Sequence, residues 1–367
     1  MSKHDSSADV TVSMKGEGYY DAHSEYQRRV IEAGAETIRD AVGSLDLAAI
    51  PGAITIADYG AGTGKTSVFA MGSAIAALDR REAGRTVFAV HNDLFANDFT
   101  QLFRNIAADE GYLKRGQVYA AAVGGSFFEQ VVPAQSVHFG MCSNAAHWFR
   151  KQPKVSMPEG MYFPQADEGT RRSLAEQAAE DWLAFLSARG KELVPGGCFV
   201  VQGIATLYDP DGTEHVAAAL PMRVMGEIAA ELAAEGLLDR GVLDRYLFPV
   251  YCRSRDEAIA PMKTGGALAE VFKVVSATVD EVADPYWELY QRDGDAAAYA
   301  KIYTEFIRAF SETSLARDLF AAGAKNMAPA ALCTEFFARF EAAVARDPAA
   351  ARYRAWILRL VLARRGR

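Results

Sequence analysis

Residues 53–67 read AITIADYGAGTGKTS, and this stretch restricts the chain more than any other. The β-branched run Ile54–Ile56 leads into Asp58, then into Gly60, Gly62 and Gly64, then into an alanine-rich segment over 66–80. β-Branched apolar residues favour a buried strand, glycines let the backbone turn and approach a ligand, and alanines favour helix. A strand, a ligand-type turn and a helix are therefore predicted, which is one βα unit of a parallel sheet. Further apolar runs at 86–94, 117–128 and 136–144 each end in polar or glycine residues. A long helix is predicted over 167–194, and CFVVQGIA (198–205) follows as a fifth strand. Strands alternating with helices imply an α/β fold with a doubly wound parallel sheet.

The flanking segments read differently. Residues 24–42 place Val30, Ile31, Ala35, Ile38 and Val42 on one face of an amphipathic helix. From about 222 the pattern is mostly helical, broken by the apolar run VFKVVSATV (271–279), which predicts a late strand. Helices are predicted at 296–322, 328–346 and 349–365, the last a basic, amphipathic, packed helix, YRAWILRLVLARRGR. This divides the chain into a polar tail (1–15), a sheet domain (16–205, continued by the strand near 270–280 and the C-terminal helices) and a helical cap (206–325).

Composition narrows the partners. The chain has 367 residues, 50% of them hydrophobic and 23% charged, enough for a sizeable core. A net charge of −8 lacks the basic footprint of a nucleic-acid binder, so small molecules are the expected partners. No run approaches the roughly 18 apolar residues of a membrane helix, and no membrane partner is expected. Cys142, Cys198, Cys252 and Cys333 form no CxxC pair, which signals neither zinc nor a disulfide framework and fits a cytoplasmic protein.

Three ligand chemistries compete for the glycine turn. Gly64-Lys65-Thr66 ends like a phosphate loop, but that motif needs a glycine five positions before Gly64, where Tyr59 stands. A dinucleotide fingerprint needs GxGxxG and an acid about 20 residues on; the spacing here is GxGxG, and Asp93 lies too far downstream. A methyl-donor site wants an acid before GxGxG, near a cationic amino-acid tail, and a second acid after the next strand to accept two ribose hydroxyls. Asp58 and Asp93 meet that demand, although a tight turn without a ligand gives the same local pattern.

Six phrases then occur in order. Tyr20-Asp-Ala-His-Ser24-Glu-Tyr-Gln27, IADYGAGTG (56–64), HNDLFANDFTQLFRNI (91–106), VGGSFFEQVVPAQSVHF (123–139), His147-Trp148 and FLSARGKELVPGGCFVV (185–201) together resemble the SABATH family of methyltransferases. The resemblance covers most of the chain. It implies a Rossmann-like class I methyltransferase sheet under a mostly helical cap, S-adenosyl-L-methionine as the methyl donor, and a small-molecule carboxylic acid converted to its methyl ester. It also implies a homodimer. By the same resemblance Tyr20, Asp58, Gly60, Gly62, Thr66, Asp93, Leu94, Ser126 and Phe127 bind the donor. Gln27 and Trp148 become the catalytic clamp on the substrate carboxylate, and His147, Asn144, Met222, Phe248 and Tyr251 line the substrate pocket.

A side-chain amide and an indole N–H are neutral donors, able to orient an anion without a tight ion pair that blunts its nucleophilicity. Read without the resemblance, Gln27 is equally a solvated helix residue, Trp148 ordinary core and His147 a structural histidine. Departures from the family pattern matter too, among them His23 in place of the usual Asn beside Ser24. Lys65-Thr66 replaces Pro-Asn, Asn144 replaces an aromatic residue, and Leu247 replaces an Asn associated with magnesium in some members, so no metal is expected. Methylation of a ring nitrogen or a phenol is the alternative, and a phosphate-loop nucleotide site the distant one.

Overall fold

The computed structural model describes Tyr19, His23 and residues 25–366. Five strands form the parallel part of the sheet: β1 (Ile54–Tyr59), β2 (Val87–Asp93), β3 (Val118–Gly124), β4 (Val137–Ser143) and β5 (Leu193–Ile204). The short hairpin β6 (Thr206–Tyr208) and β7 (Glu214–Val216) stands apart. The main sheet is completed by β8 (Phe272–Val282) and β9 (Ala355–Arg364), giving the order β3-β2-β1-β4-β5-β9-β8. Strand β9 runs antiparallel to both β5 and β8.

Helices follow the apolar periodicity. Helix α1 (Glu25–Ala33) and helix α2 (Ala35–Gly43) bury Tyr26, Val30, Ile31, Ile38 and Val42. The predicted single helix is thus divided at Gly34, where a Cβ would lie 1.9 Å from Gln202 Oε1. Ala35 is only partly buried. Helix α3 (Lys65–Arg81) joins β1 to β2, α4 (Phe99–Ala107) joins β2 to β3, and α5 (Glu168–Glu192) leads into β5. Three more long helices, α6 (Ala219–Ala234), α7 (Pro285–Asp293) and α8 (Ala296–Ser314), precede α9 (Pro329–Arg346). One apolar cluster fills the sheet face under α2, α3 and α4, a second the face under α5, and a third joins α6, α8 and α9 to Trp148, Phe248 and Ile357.

The C-terminal segment corrects an expectation. Residues 349–365, predicted helical, contain the long strand β9. Leu, Ala and Arg are good helix formers, and the run satisfies a helical apolar stripe. Inserted between β5 and β8, however, the segment is buried on both faces, and a continuous apolar run cannot be told from a buried helix by period alone. The late strand at 271–279 and the helices at 296–314 and 329–346 agree with the sequence pattern.

Strand order reverses between β1 and β4, since β2 and β3 extend the sheet to one side and β5 to the other. In an open α/β sheet the crevice beyond the carboxyl ends of such a pair is where ligands bind. The glycine turn follows β1, and the Asn144–Trp148 segment follows β4.

Candidate functional site

The turn after β1 is built for close approach. Gly60, Gly62 and Gly64 have φ of 84°, 54° and 83°, a region open to glycine at little cost. The N–H groups of Gly60 and Ala61 both donate to the Asn92 carbonyl (2.9 and 3.0 Å), tying the turn to the end of β2. Asp93 locks it further: its Oδ2 accepts from Gly62 N (2.7 Å) and its Oδ1 from Leu94 N (2.8 Å). A carboxylate has about four lone-pair sites, so Asp93 retains capacity for two hydroxyl donors. A Cβ on Gly62 would meet no atom within 4 Å, so the space over the turn is open. Asp58 lies beneath it, 4% exposed, accepting from Ser67 Oγ. Burial pushes its carboxyl up to about 6; the Ser67 hydroxyl opposes that rise and the Asp93 charge adds to it. Two acids around an open glycine turn fit a cationic ligand carrying a ribose diol.

Gly60 also joins the two strand ends. A Cβ there would sit 2.4 Å from Ala145 Cβ and 3.6 Å from the Phe127 ring. Gly60→Ala is therefore expected to cost about 1–3 kcal/mol, from a left-handed alanine and an overpacked contact, and to weaken donor binding. Chemical denaturation and calorimetric titration with donor read both effects. Stability and affinity equal to the parent protein would contradict this role.

Beyond β4, Asn144 adopts φ 53° and its N–H bonds the Gln202 carbonyl (2.8 Å). Residues 147–149 then pair with 249–251: Tyr251 N donates to His147 O (2.8 Å) and Phe149 N to Pro249 O (3.0 Å). This pairing holds Trp148 at the wall of a cavity. Gln27 from α1, Asn144, His147, Trp148, Met222 and Phe248 line it together. Tyr26, Tyr162, Ile204, Phe306, Phe310, Tyr353 and Ile357 supply most of the remaining apolar surface. Among the described residues the lining holds no Lys, Arg, Asp or Glu. Burial and the nearby Arg253 guanidinium push the His147 imidazole down to about 3, so it is neutral at physiological pH. Gln27 Oε1, Asn144 Nδ2 and His147 Nδ1 are buried among the lining residues without a hydrogen-bond partner within the chain.

Six of the seven residues predicted for the substrate pocket thus share one cavity, and Tyr251 does not. Phe248 and Val250 point into the cavity, and Tyr251, the next residue of an extended segment, points the other way. Its hydroxyl donates to Glu257 Oε1 (2.7 Å) and its ring packs on Phe163 (4.8 Å). Asp58, Gly60, Gly62, Asp93 and Leu94 gather at the ends of β1 and β2, with Thr66 in the first turn of α3. Ser126 and Phe127 follow β3, with the Phe127 ring beside Gly60. Tyr20 lies outside the described residues. Sequence reasoning missed Phe306, Phe310, Tyr353 and Ile357. The aromatic pair shows only a helical core stripe, and Ile357 falls in the segment whose pattern predicts a helix.

The model of the SAM dependent carboxyl methyltransferase family matches residues 9–365. A farnesoic acid carboxyl-O-methyltransferase of Arabidopsis thaliana is 29% identical over 259 residues, which is 66% of this chain and 72% of that protein. A caffeine synthase of Camellia sinensis is 26% identical over 318 residues, 81% of this chain and 83% of that protein. A solved structure, a loganic acid methyltransferase with SAH, shares the fold at a TM-score of 0.78 and 23% identity, covering 97% of this chain and 99% of that one. A family match over nearly the whole chain makes it a member of the S-adenosylmethionine-dependent carboxyl methyltransferases, enzymes that form methyl esters of small carboxylic acids.

Proposed function

We propose that the acceptor is a monocarboxylic acid with an apolar body, its carboxylate held by Gln27 and Trp148 in the cavity beyond β4. The observation that carries this is the lining: neutral polar groups beside Gln27 and Trp148, and otherwise apolar and aromatic walls. An acceptor with a second charge would bury it unpaired, at a cost of several kcal/mol.

S-adenosylmethionine supplies a methyl group activated by its sulfonium charge. The carboxylate, with an ordinary pKa of about 4, is already ionised at neutral pH and needs no base. A phenol would need one, and His147, held neutral with its pKa near 3, is a weak base. That favours the carboxylate over the phenol. Gln27 Nε2 and the Trp148 indole N–H orient the anion, while Phe306, Phe310 and Phe248 exclude water. Charge is neutralised as the ester forms, and a dry cavity favours that step over the separated ions.

The test is incubation with methyl-labelled donor and a panel of apolar monocarboxylic acids, dicarboxylic acids, phenols and xanthines. Label is expected in base-labile esters of the apolar monocarboxylic acids. Label confined to base-stable N-methyl or phenol ether products would overturn the assignment. A cytoplasmic setting without nucleic-acid partners belongs to the same proposal, supported by the net charge of −8 and four buried free cysteines. Among the described residues no helix is long and apolar enough to cross a membrane. The proposal includes a homodimer, which light scattering on the purified protein tests.

A further inference from the structure

Beneath the glycine turn lies a run of polar side chains that methyl transfer does not touch. Ser67, in the first turn of α3, donates its hydroxyl to Asp58 Oδ2. The same Ser67 Oγ lies 3.2 Å from His91 Nδ1, and His91 Nε2 meets the Tyr112 hydroxyl. Tyr112 and His91 are fully buried, and Ser67 is 2% exposed. The hydrogens can be arranged in one consistent direction. A phenol O–H at neutral pH donates, so Nε2 of His91 accepts and its Nδ1 carries the proton. That N–H faces Ser67 Oγ, which accepts it and passes its own hydrogen to Asp58. The run therefore ends on a carboxylate, the group most in need of a donor in a buried place.

We infer that Tyr112, His91 and Ser67 are positioning residues for the methyl donor, acting through Asp58, which they hold as an oriented carboxylate under the glycine turn. The inference rests on Asp58 being the acid at the cationic end of the donor. Asp58 is faced by Asp93 at the end of β2, Ser67 on α3, Cys142 on β4 and Tyr112 after α4. Among the described residues, none of the groups that shift it is a cation. Hydrogen bonding must then offset both burial and the Asp93 charge, and His91 cannot substitute as a cation because burial pushes its imidazole down to about 4. His91 and Tyr112 serve instead to fix the Ser67 hydroxyl in its donating direction.

The sign of the effect follows. The ionised form of Asp58 binds the cationic donor, so affinity is present above the Asp58 pKa and is lost as pH falls through it. Deleting the Ser67 hydroxyl removes an interaction that lowers this pKa, and the inflection moves up. For a one-unit rise from about 6, donor binding weakens about fivefold at pH 6 and by less than about 1.5-fold at pH 7.5. Calorimetric titration with S-adenosylmethionine from pH 5.5 to 7.5 reads this for the parent protein, Ser67→Ala, Ser67→Thr, Tyr112→Phe and Asp58→Asn. The expected result is an inflection displaced upward in Ser67→Ala, a smaller displacement in Tyr112→Phe, and recovery in Ser67→Thr. Tyr112→Phe removes one oxygen, so it carries the test if Ser67→Ala does not fold. A pH-independent loss in both variants would mean a merely structural role and would overturn the inference. Asp58→Asn separates the two levels: donor affinity equal to the parent protein's defeats the placement of Asp58 itself, whereas weak binding by Asp58→Asn with no displaced inflection in the other variants defeats only the chain.

Discussion

Glu192→Ala is expected to destabilise the protein by about 3–5 kcal/mol, because it strips the partner from a fully buried arginine. Arg189 and Glu192 are both 0% exposed and meet through Arg189 Nε and Glu192 Oε2 at 2.7 Å and Nη2 and Oε1 at 2.9 Å. Glu192 also accepts from Tyr59 OH (2.7 Å) and from the N–H groups of Val131 (2.6 Å) and Val132 (3.2 Å). Arg189 donates to the carbonyls of Phe127 (2.5 Å) and Glu129 (2.8 Å), and its guanidinium lies 3.9 Å from the centre of the Tyr59 ring. The pair thus fastens the segment after β3, which carries Phe127, to the end of β1 and to α5. Chemical denaturation should show the loss, and the same variant should bind donor more weakly because Phe127 is no longer held. Replacing both partners with apolar residues, Arg189→Met with Glu192→Leu, should recover part of the stability, since no orphaned charge remains. A loss below about 1 kcal/mol in the single variant would contradict this account.

Gln27→Ala and Trp148→Phe are expected each to lower kcat/KM by roughly 1–3 kcal/mol, about 5- to 150-fold, with donor affinity nearly unchanged. In the proposed arrangement each variant removes one neutral donor from the acceptor carboxylate and leaves the glycine turn intact. Phenylalanine at 148 keeps an aromatic ring against Phe248, whose centroid lies 5.6 Å from that of Trp148, so loss of packing contributes little. Calorimetry with donor and steady-state kinetics with acceptor separate the two sites. Equal weakening of donor and acceptor binding would mean that the variants disturb the fold rather than the grip on the carboxylate.

Much of this architecture is legible in the amino-acid sequence. The glycine turn, the four strands that follow the first βα rhythm and the long helix over 168–192 are local features, and each announces itself by its own residues. Asp58 and Asp93 sit where strand ends put them. The cavity was only half legible. Gln27, His147 and Trp148 stand in phrases that resemble the family's and Asn144 at a departure from its pattern, but Phe306, Phe310, Tyr353 and Ile357 reach the cavity from distant elements whose local pattern says no more than buried. Strand β9 was misread because a strand enclosed on both sides loses the alternation that marks strands. Tyr251 was misplaced for the opposite reason: the extended segment alternates, and alternation sends it behind the wall that Phe248 and Val250 form.

Asp58 lies under the glycine turn rather than at its surface. It is 4% exposed and bound to Ser67, whereas the open space lies above Gly62. Burial raises the cost of ionising it, which is why its hydrogen-bond partners matter.

The most direct test of the central claim is a crystal structure of the protein with S-adenosylhomocysteine and an apolar monocarboxylic acid that it methylates. The acid's carboxylate is expected within about 3.2 Å of both Gln27 Nε2 and Trp148 Nε1, its body against Phe306 and Phe310, and the donor product over the turn at Gly62. A carboxylate bound elsewhere, or one gripped by an arginine or lysine instead of the amide and the indole, would contradict it.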